Sequence, residues 1–299
     1  MVGAAGMRKS AAEQCFDAFN VLFMAVLSLI FIYPLAYVIF ASLSNPNELV
    51  KHSGILLRPL GFSLSGYRMV FKTPHVLSGY LNTIFYVAAG TAVNLLMSCF
   101  GAYVLSRKKL YIKRVMTLGI VFTMYFSGGL IPFFLVVKSL GLYNSRLALI
   151  LPTAIGTWHM IIIRTAFSQI PRSLEEAALI DGANDFTILF RVVIPVAKST
   201  IAVMVLFYAV QHWNAWFNAM IFLQSRDKYP LQLFLREILL SGSLNNVDTT
   251  SMSDAFENTL VVNLIKYCTI VISTVPILCI YPFLQKYFAK GVMVGSVKE

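Results

Sequence analysis

Between Phe19 and Leu43 the chain runs without one charged side chain, and five further stretches, at about 82–106, 115–137, 147–167, 200–223 and 259–283, are nearly as apolar. Each is long enough to cross a bilayer as a helix, which takes about 20 residues for a hydrocarbon layer of roughly 30 Å. Inside lipid the backbone must satisfy its own hydrogen bonds, so such runs fold as helices. A composition of 58% hydrophobic and 12% charged residues lies outside the soluble range. The fold class expected is therefore an all-α integral membrane protein, a single domain over 1–299 with six transmembrane helices and both termini cytoplasmic. The first run is too long for a cleavable signal core and reads as a signal anchor or first span.

Charge narrows the function. None of the thirteen carboxylates falls inside an apolar run. Proton-coupled and many cation-coupled carriers place carboxylates within the membrane, so this pattern argues against a secondary transporter. No nucleophile-base pair or metal-ligand cluster is visible, so no catalytic residue and no metal site is assigned. Cys15, Cys99, Cys268 and Cys279 lack metal-ligand spacing and read as small core residues. The net charge of +11 sits at the edges of the apolar runs, densest at Arg107, Lys108, Lys109, Lys113 and Arg114. That distribution is explained by the positive-inside rule rather than by nucleic acid, with fourteen Lys and Arg assigned to the cytoplasmic side and ten outside.

Several runs carry internal detail. Gly90, Asn94, Ser98 and Ala102 form a small-residue stripe at i+4 steps, suited to close helix contact. The stretch from Phe126 to Pro132, FSGGLIP, should break or kink the third run beside protein or a wet cavity. Pro34 is expected to kink the first. Ser65 is expected to cap a short helix bearing Tyr67, Val70 and Phe71. Tyr208, Gln211, His212, Trp213, Asn214, Trp216, Phe217 and Asn218 crowd the fifth run. Two readings fit them: an aromatic belt with interhelical hydrogen bonds, or a sugar-facing surface in which Tyr208, Gln211, Trp213, Asn214, Phe217, Asn218 and Lys266 line a substrate pathway. Lys266, in the sixth run, either snorkels to the outer interface or faces a wet cavity. Residues 224–258 read as an external loop with a helix near 227–240, and 285–299 as a cytoplasmic tail.

One long segment is amphipathic rather than lipid-grade: Gln169 to Pro195, QIPRSLEEAALIDGANDFTILFRVVIP. It reads as helix, glycine break, helix. Ser173 and Glu176 have the spacing of a capping box, placing the first helix start near Leu174. Gly182 fits a left-handed C-cap, Asn184 or Asp185 can cap the second helix, and Pro195 should follow its end. Leu174, Ala177 and Ala178 share one face, with Glu175, Glu176 and Asp181 opposite.

The order Glu176-Ala177-Ala178, Gly182, Val192-x-Ile194-Pro195 resembles the EAA loop of ABC importer permeases. Gly101 to Arg107, Phe126 to Pro132, Trp213-Asn214, Tyr229 to Gln232 and Tyr281 to Phe288 are similar to the carbohydrate branch, related to the second permease subunit of the maltose transporter and particularly its oligosaccharide-type members. The resemblance implies a non-catalytic subunit of a binding-protein-dependent, ATP-driven sugar importer in a bacterial inner membrane, working by alternating access. The loop at 169–195 would couple to the ATPase through Ser173, Glu175, Glu176, Ala177, Ala178, Asp181 and Gly182. The tail, through Gly291, Gly295, Ser296, Val297 and Lys298, would touch the ATPase dimer, although Glu299 stands where relatives often have Gly. Implied partners are a second, similar permease, two ATPase subunits carrying ATP and Mg, an extracytoplasmic sugar-binding protein, the sugar and membrane lipid. This chain has no G-x-x-x-x-G-K-[ST] loop, so no cofactor is assigned to it. A permease for a non-sugar solute and a membrane receptor or scaffold are the alternatives. Lys266 and the basic outer loops suit an acidic oligosaccharide such as a uronic acid chain.

Overall fold

The computed structural model describes residues 10–72, 74–107, 111–244, 262–279 and 282, and no strand occurs among them. The helices are α1 (Ala11–Ser42), α2 (Pro46–Lys51), α3 (Ser65–Lys72), α4 (Pro74–Ser106), α5 (Lys113–Tyr125) and α6 (Leu130–Ser139). There follow α7 (Thr157–Ser168), α8 (Arg172–Ile180), α9 (Asp185–Val196), α10 (Lys198–Trp213), α11 (Phe217–Phe222), α12 (Leu231–Leu244) and α13 (Val262–Cys279). Short 3-10 turns at Arg146–Leu149 and Leu151–Thr153 precede α7.

Helices α1, α4 and α13 are each long and apolar enough to cross a membrane. Three bent pairs pass the same test jointly: α5 with α6 at 115°, Arg146–Thr153 with α7 at 49°, and α9 with α10 at 89°. The α5–α6 break falls at Phe126 to Gly129, inside the interruption read from the sequence, and Gly129 adopts φ +88 there. Pro34 sits within the continuous α1. The fifth apolar run differs from expectation. It is α10, a break at Asn214 to Trp216, and α11, because tight turns from Ala215 N–H to the His212 carbonyl and from Trp216 N–H to the Asn214 carbonyl stop the helix.

The chain forms two compact units, one of residues 1–70 with 244–271 and the other of 71–243 with 272–299. In the first, α1 starts with a capping box between Ser10 and Glu13. Its far end is tied down by the Ser42 hydroxyl, 2.8 Å from the Tyr67 hydroxyl, and by Tyr37 packed edge-on to Tyr267 of α13. Gly66 lets α3 lie against Cys268 and Leu264. Ser65 is the first residue of α3 rather than its cap; the Ser63 hydroxyl accepts its N–H. Cys99 and Cys268 are buried as expected of core residues, but Cys15 and Cys279 are exposed.

The second unit is built on α4. Its small stripe faces inward: Asn94, Ser98 and Ala102 are all fully buried. Gly90 leaves room for the His212 ring, whose Nε2 lies 2.6 Å from Asn94 Oδ1, while the Asn94 amide donates to the Thr153 carbonyl. Ser98 Oγ meets Tyr208 OH at 2.6 Å. One apolar core, with Cys99, Leu105, Met160, Ile163, Phe167 and Met204, joins α4 to α7 and α10. A second, with Tyr86, Val137, Leu149, Phe222 and Leu233, covers the other end of α4. There Asn82 donates to the Asp227 and Tyr229 carbonyls and Tyr86 to that of Lys228, which fixes the start of α12.

Candidate functional site

The amphipathic segment folds as two helices meeting at Gly182. Helix α8 ends in a Schellman motif: Ala183 N–H reaches the Ala178 carbonyl at 2.9 Å, and Gly182 N–H reaches that of Leu179 at 3.0 Å. Gly182 has φ +79, and no atom lies within 4 Å of where a Cβ would be, so the glycine is required by backbone conformation and not by space. Asn184 caps α9, its side chain accepting Thr187 N–H at 2.8 Å.

Two local expectations are corrected. Helix α8 begins at Arg172 behind Pro171, with no side-chain cap, so Ser173 lies inside the first turn and the capping box with Glu176 does not form. Proline's fixed φ suits the position before a helix, and the helix starts as soon as it can. Pro195 lies within α9 rather than beyond it, because a π turn over Leu189–Val193 widens the helix just ahead of the residue that cannot donate. Helix α9 then ends at Ala197 and the chain turns into α10.

The end of α4 holds both helices of this hairpin. Arg107 forms an ion pair through Nη1 with Glu175 on α8. Its guanidinium lies 3.8 Å from the centroid of the Tyr103 ring, and Tyr103 OH donates to Asp185 Oδ1 on α9 at 3.2 Å. Phe100 adds edge-on contacts with Phe186 and Phe190. Ala178 and Ala183 pack on the core beneath. The hairpin is thus fixed to α4 by charge, by a ring face and by apolar contact, and runs on covalently into α10.

The outward surface of α8 combines Ser173, Glu176, Ala177, Asp181 and Gly182, all exposed, with Leu174, Leu179 and Ile180, which are 43%, 57% and 86% exposed. Ile180 is the barest of these apolar side chains, on a short helix otherwise rich in carboxylates. Glu175 and Ala178 do not belong to that surface. Glu175 turns toward Arg107 and Ala178 toward the core, because i and i+3 positions share the inner face.

Of the pathway candidates, Tyr208 is fully buried against Ser98 and His159, and Trp213 is buried with its Nε1 donating to the Ser273 carbonyl at 3.2 Å. Both side chains are taken up in helix packing in this structure. Gln211, Asn214 and Phe217 are exposed, Asn218 is half-buried, and Lys266 is half-buried on α13. The tail residues Gly291, Gly295, Ser296, Val297 and Lys298 lie outside the described residues. Sequence reasoning missed Tyr103 and Arg107 as clamp residues; their place at the end of the small-residue stripe, four residues apart, was the available signal.

The chain is 43% identical over 289 residues to the polygalacturonan/rhamnogalacturonan transport system permease protein YtcP of Bacillus subtilis (strain 168), covering 96% of this chain and 99% of that protein. It is 41% identical over 292 residues to protein LplC of the same organism, covering 98% of each. It superposes on a chain of the crystal structure of a bacterial ABC transporter involved in the import of the acidic polysaccharide alginate with a TM-score of 0.86 and 32% identity, over 94% of this chain and 99% of that one. The family described as binding-protein-dependent transport system inner membrane component matches residues 2–293. The family match runs over nearly the whole chain, and the chain belongs to this family of binding-protein-dependent transport system inner membrane components.

Proposed function

We propose that this chain is the permease subunit of an ATP-driven, binding-protein-dependent importer of acidic oligosaccharides. It crosses the inner membrane six times with both termini cytoplasmic, through α1, α4 and α13, the α5–α6 pair, the turns at Arg146–Thr153 with α7, and α10 with α11. The exposed face of α8 docks on an ATPase subunit, and a second, similar permease completes the pathway. ATP binding to the paired ATPase subunits closes them and moves the hairpin. The Arg107 clamp passes that motion to α4, and the bend at Ala197 passes it to α10, so the cavity opens toward the sugar-binding protein. Hydrolysis resets it.

The observation that carries the coupling role is the hairpin itself: a capped rod with an apolar and acidic outer face, fixed to α4 by Arg107 and Tyr103. Support for an acidic saccharide comes from the saccharides named for two of the relatives and from Lys266 and the basic residues of the outer loops.

The test is ATPase activity of the complete importer in liposomes, with its binding protein and a panel of neutral and acidic oligosaccharides, for wild type and Glu176→Lys. Stimulation by an acidic oligosaccharide that the substitution abolishes, with the complex still assembled, is expected. Full stimulation in the assembled Glu176→Lys complex would sink the coupling assignment, and stimulation by neutral sugars alone would sink the substrate class.

A further inference from the structure

We infer that Arg236, held over the indole of Trp216 at the break between α10 and α11, is the group in this permease that receives the carboxylate of a uronic acid unit during passage. This rests on the reading that the cargo is an acidic saccharide.

The arginines whose contacts are described divide into two kinds. Arg107 is paired with Glu175 and Arg226 lies 3.5 Å from Glu237, while Arg146, also without a carboxylate partner among the described residues, spends its fork on the Asn82 amide oxygen at 3.0 Å. Arg236 has no carboxylate partner among the described residues. Its guanidinium carbon lies 3.7 Å from the centroid of the Trp216 ring, and its Nη1 lies 3.3 Å from Met220 Sδ. The acid next to it in sequence, Glu237, is engaged by Arg226.

A guanidinium stacked on an indole keeps its flat fork in one orientation, and a thioether is a weak acceptor that leaves most of its donors unspent. The result is a preorganised cation without a counter-charge, half-buried, on a helix that the Asn82 and Tyr86 hydrogen bonds hold in place. Planar donors at fixed spacing match a carboxylate in two parallel hydrogen bonds, which an ammonium cannot do. Its ring partner belongs to an interrupted helix. Broken helices are tolerated at membrane depth where they line protein or a wet cavity. The same break carries Asn214, with Gln211 just before it and Phe217 and Asn218 just after, supplying amides for hydroxyls and an aromatic face for a pyranose ring. A carboxylate receptor beside hydroxyl and ring-face contacts is the composition a uronate needs and a neutral hexose does not.

The experiment uses the complete purified importer. Equilibrium binding of oligogalacturonate and of its methyl-esterified form is measured for wild type, Arg236→Gln and Arg236→Lys, with complex assembly checked by size-exclusion chromatography. Stimulation of the ATPase by binding protein with oligogalacturonate is followed in the same preparations. Wild type should prefer the acid; Arg236→Gln should weaken acid binding about ten-fold, the loss of one charge-assisted contact, and leave the ester unaffected. Arg236→Lys should fall between, since it keeps the charge and loses the fork. If Arg236→Gln does not assemble, the Arg236→Lys comparison decides on the same criterion. Equal weakening for both ligands means a structural role and overturns the inference, as does an acid preference that survives the substitution or is absent from wild type; in each of these cases ATPase stimulation leaves the importer reading standing. Absence of stimulation by oligogalacturonate removes the acidic-saccharide reading and the inference with it.

Discussion

Replacing Arg107 by Gln removes the ion pair that holds α8 against the end of α4, together with the stacking that orients the guanidinium on Tyr103. The ion pair with Glu175 is largely shielded, the two side chains being 26% and 17% exposed. It therefore lies between exposed pairs, at about 0.2–1 kcal/mol, and buried pairs stripped of one partner, at about 3–5 kcal/mol, so about 1.5 kcal/mol is reasonable. The Tyr103 contact stays within the end of α4 and adds nothing to this docking term. A loss of about 1.5 kcal/mol is a roughly 12-fold shift in the equilibrium between docked and released hairpin. Helix α8 has nine residues, too few to be stable alone, so its amides exchange with solvent when it is released. Hydrogen–deuterium exchange over 176–181 should speed up by about that roughly 12-fold factor in Arg107→Gln and by a similar factor in Glu175→Gln, which breaks the same pair. A double-mutant cycle should return about 1 kcal/mol of coupling. Sugar moved per ATP hydrolysed should fall, because the rod slips. Unchanged exchange in Arg107→Gln, or strictly additive single substitutions, would refute the clamp.

The remaining predictions concern the hairpin turn and the α4 interface. Gly182→Ala places a side chain at φ +79 with no clash, so strain of about 1 kcal/mol should lower sugar-stimulated ATPase activity, and Gly182→Asn should recover part of it. Tyr208→Phe leaves the Ser98 hydroxyl buried without its partner, costing about 1 kcal/mol; the melting temperature of the detergent-purified complex should drop while its ranking of sugars stays the same. Gly90→Ala drives a methyl into the His212 ring and should cut the yield of folded complex, whereas Gly119→Ala, with nothing within 4 Å among the described residues, should not.

Local signals in the sequence survived folding best. Gly182 and Asn184 act through neighbours two to five residues away, and the Gly90, Asn94, Ser98, Ala102 stripe follows from helix pitch alone, so each could be read directly. The Arg107–Glu175 pair could not, since both groups lie in charged stretches that sequence reading assigns to solvent and only the fold brings them together. Periodicity says that Tyr208, Trp213 and Gln211 share a helix but not which of them meets α4 or α13; burial of the first two and exposure of the third is a tertiary result. Pro195 reads as a stop because proline lacks the donor of a regular turn, and the π turn ahead of it removes the need for that donor.

The 115° break between α5 and α6 bears on how the chain reaches the bilayer. Helix α5 has 13 residues and α6 has 10, about 20 Å and 15 Å of rise against a hydrocarbon layer of roughly 30 Å. Neither half is a sufficient stop signal for the insertion machinery as it emerges from the ribosome. The halves lean on different parts of the protein, Met116 and Ile120 of α5 on the core beside α7 and Phe133 and Phe134 of α6 on the core around Phe222, so the bend at two glycines makes any crossing by this stretch depend on the fold around it.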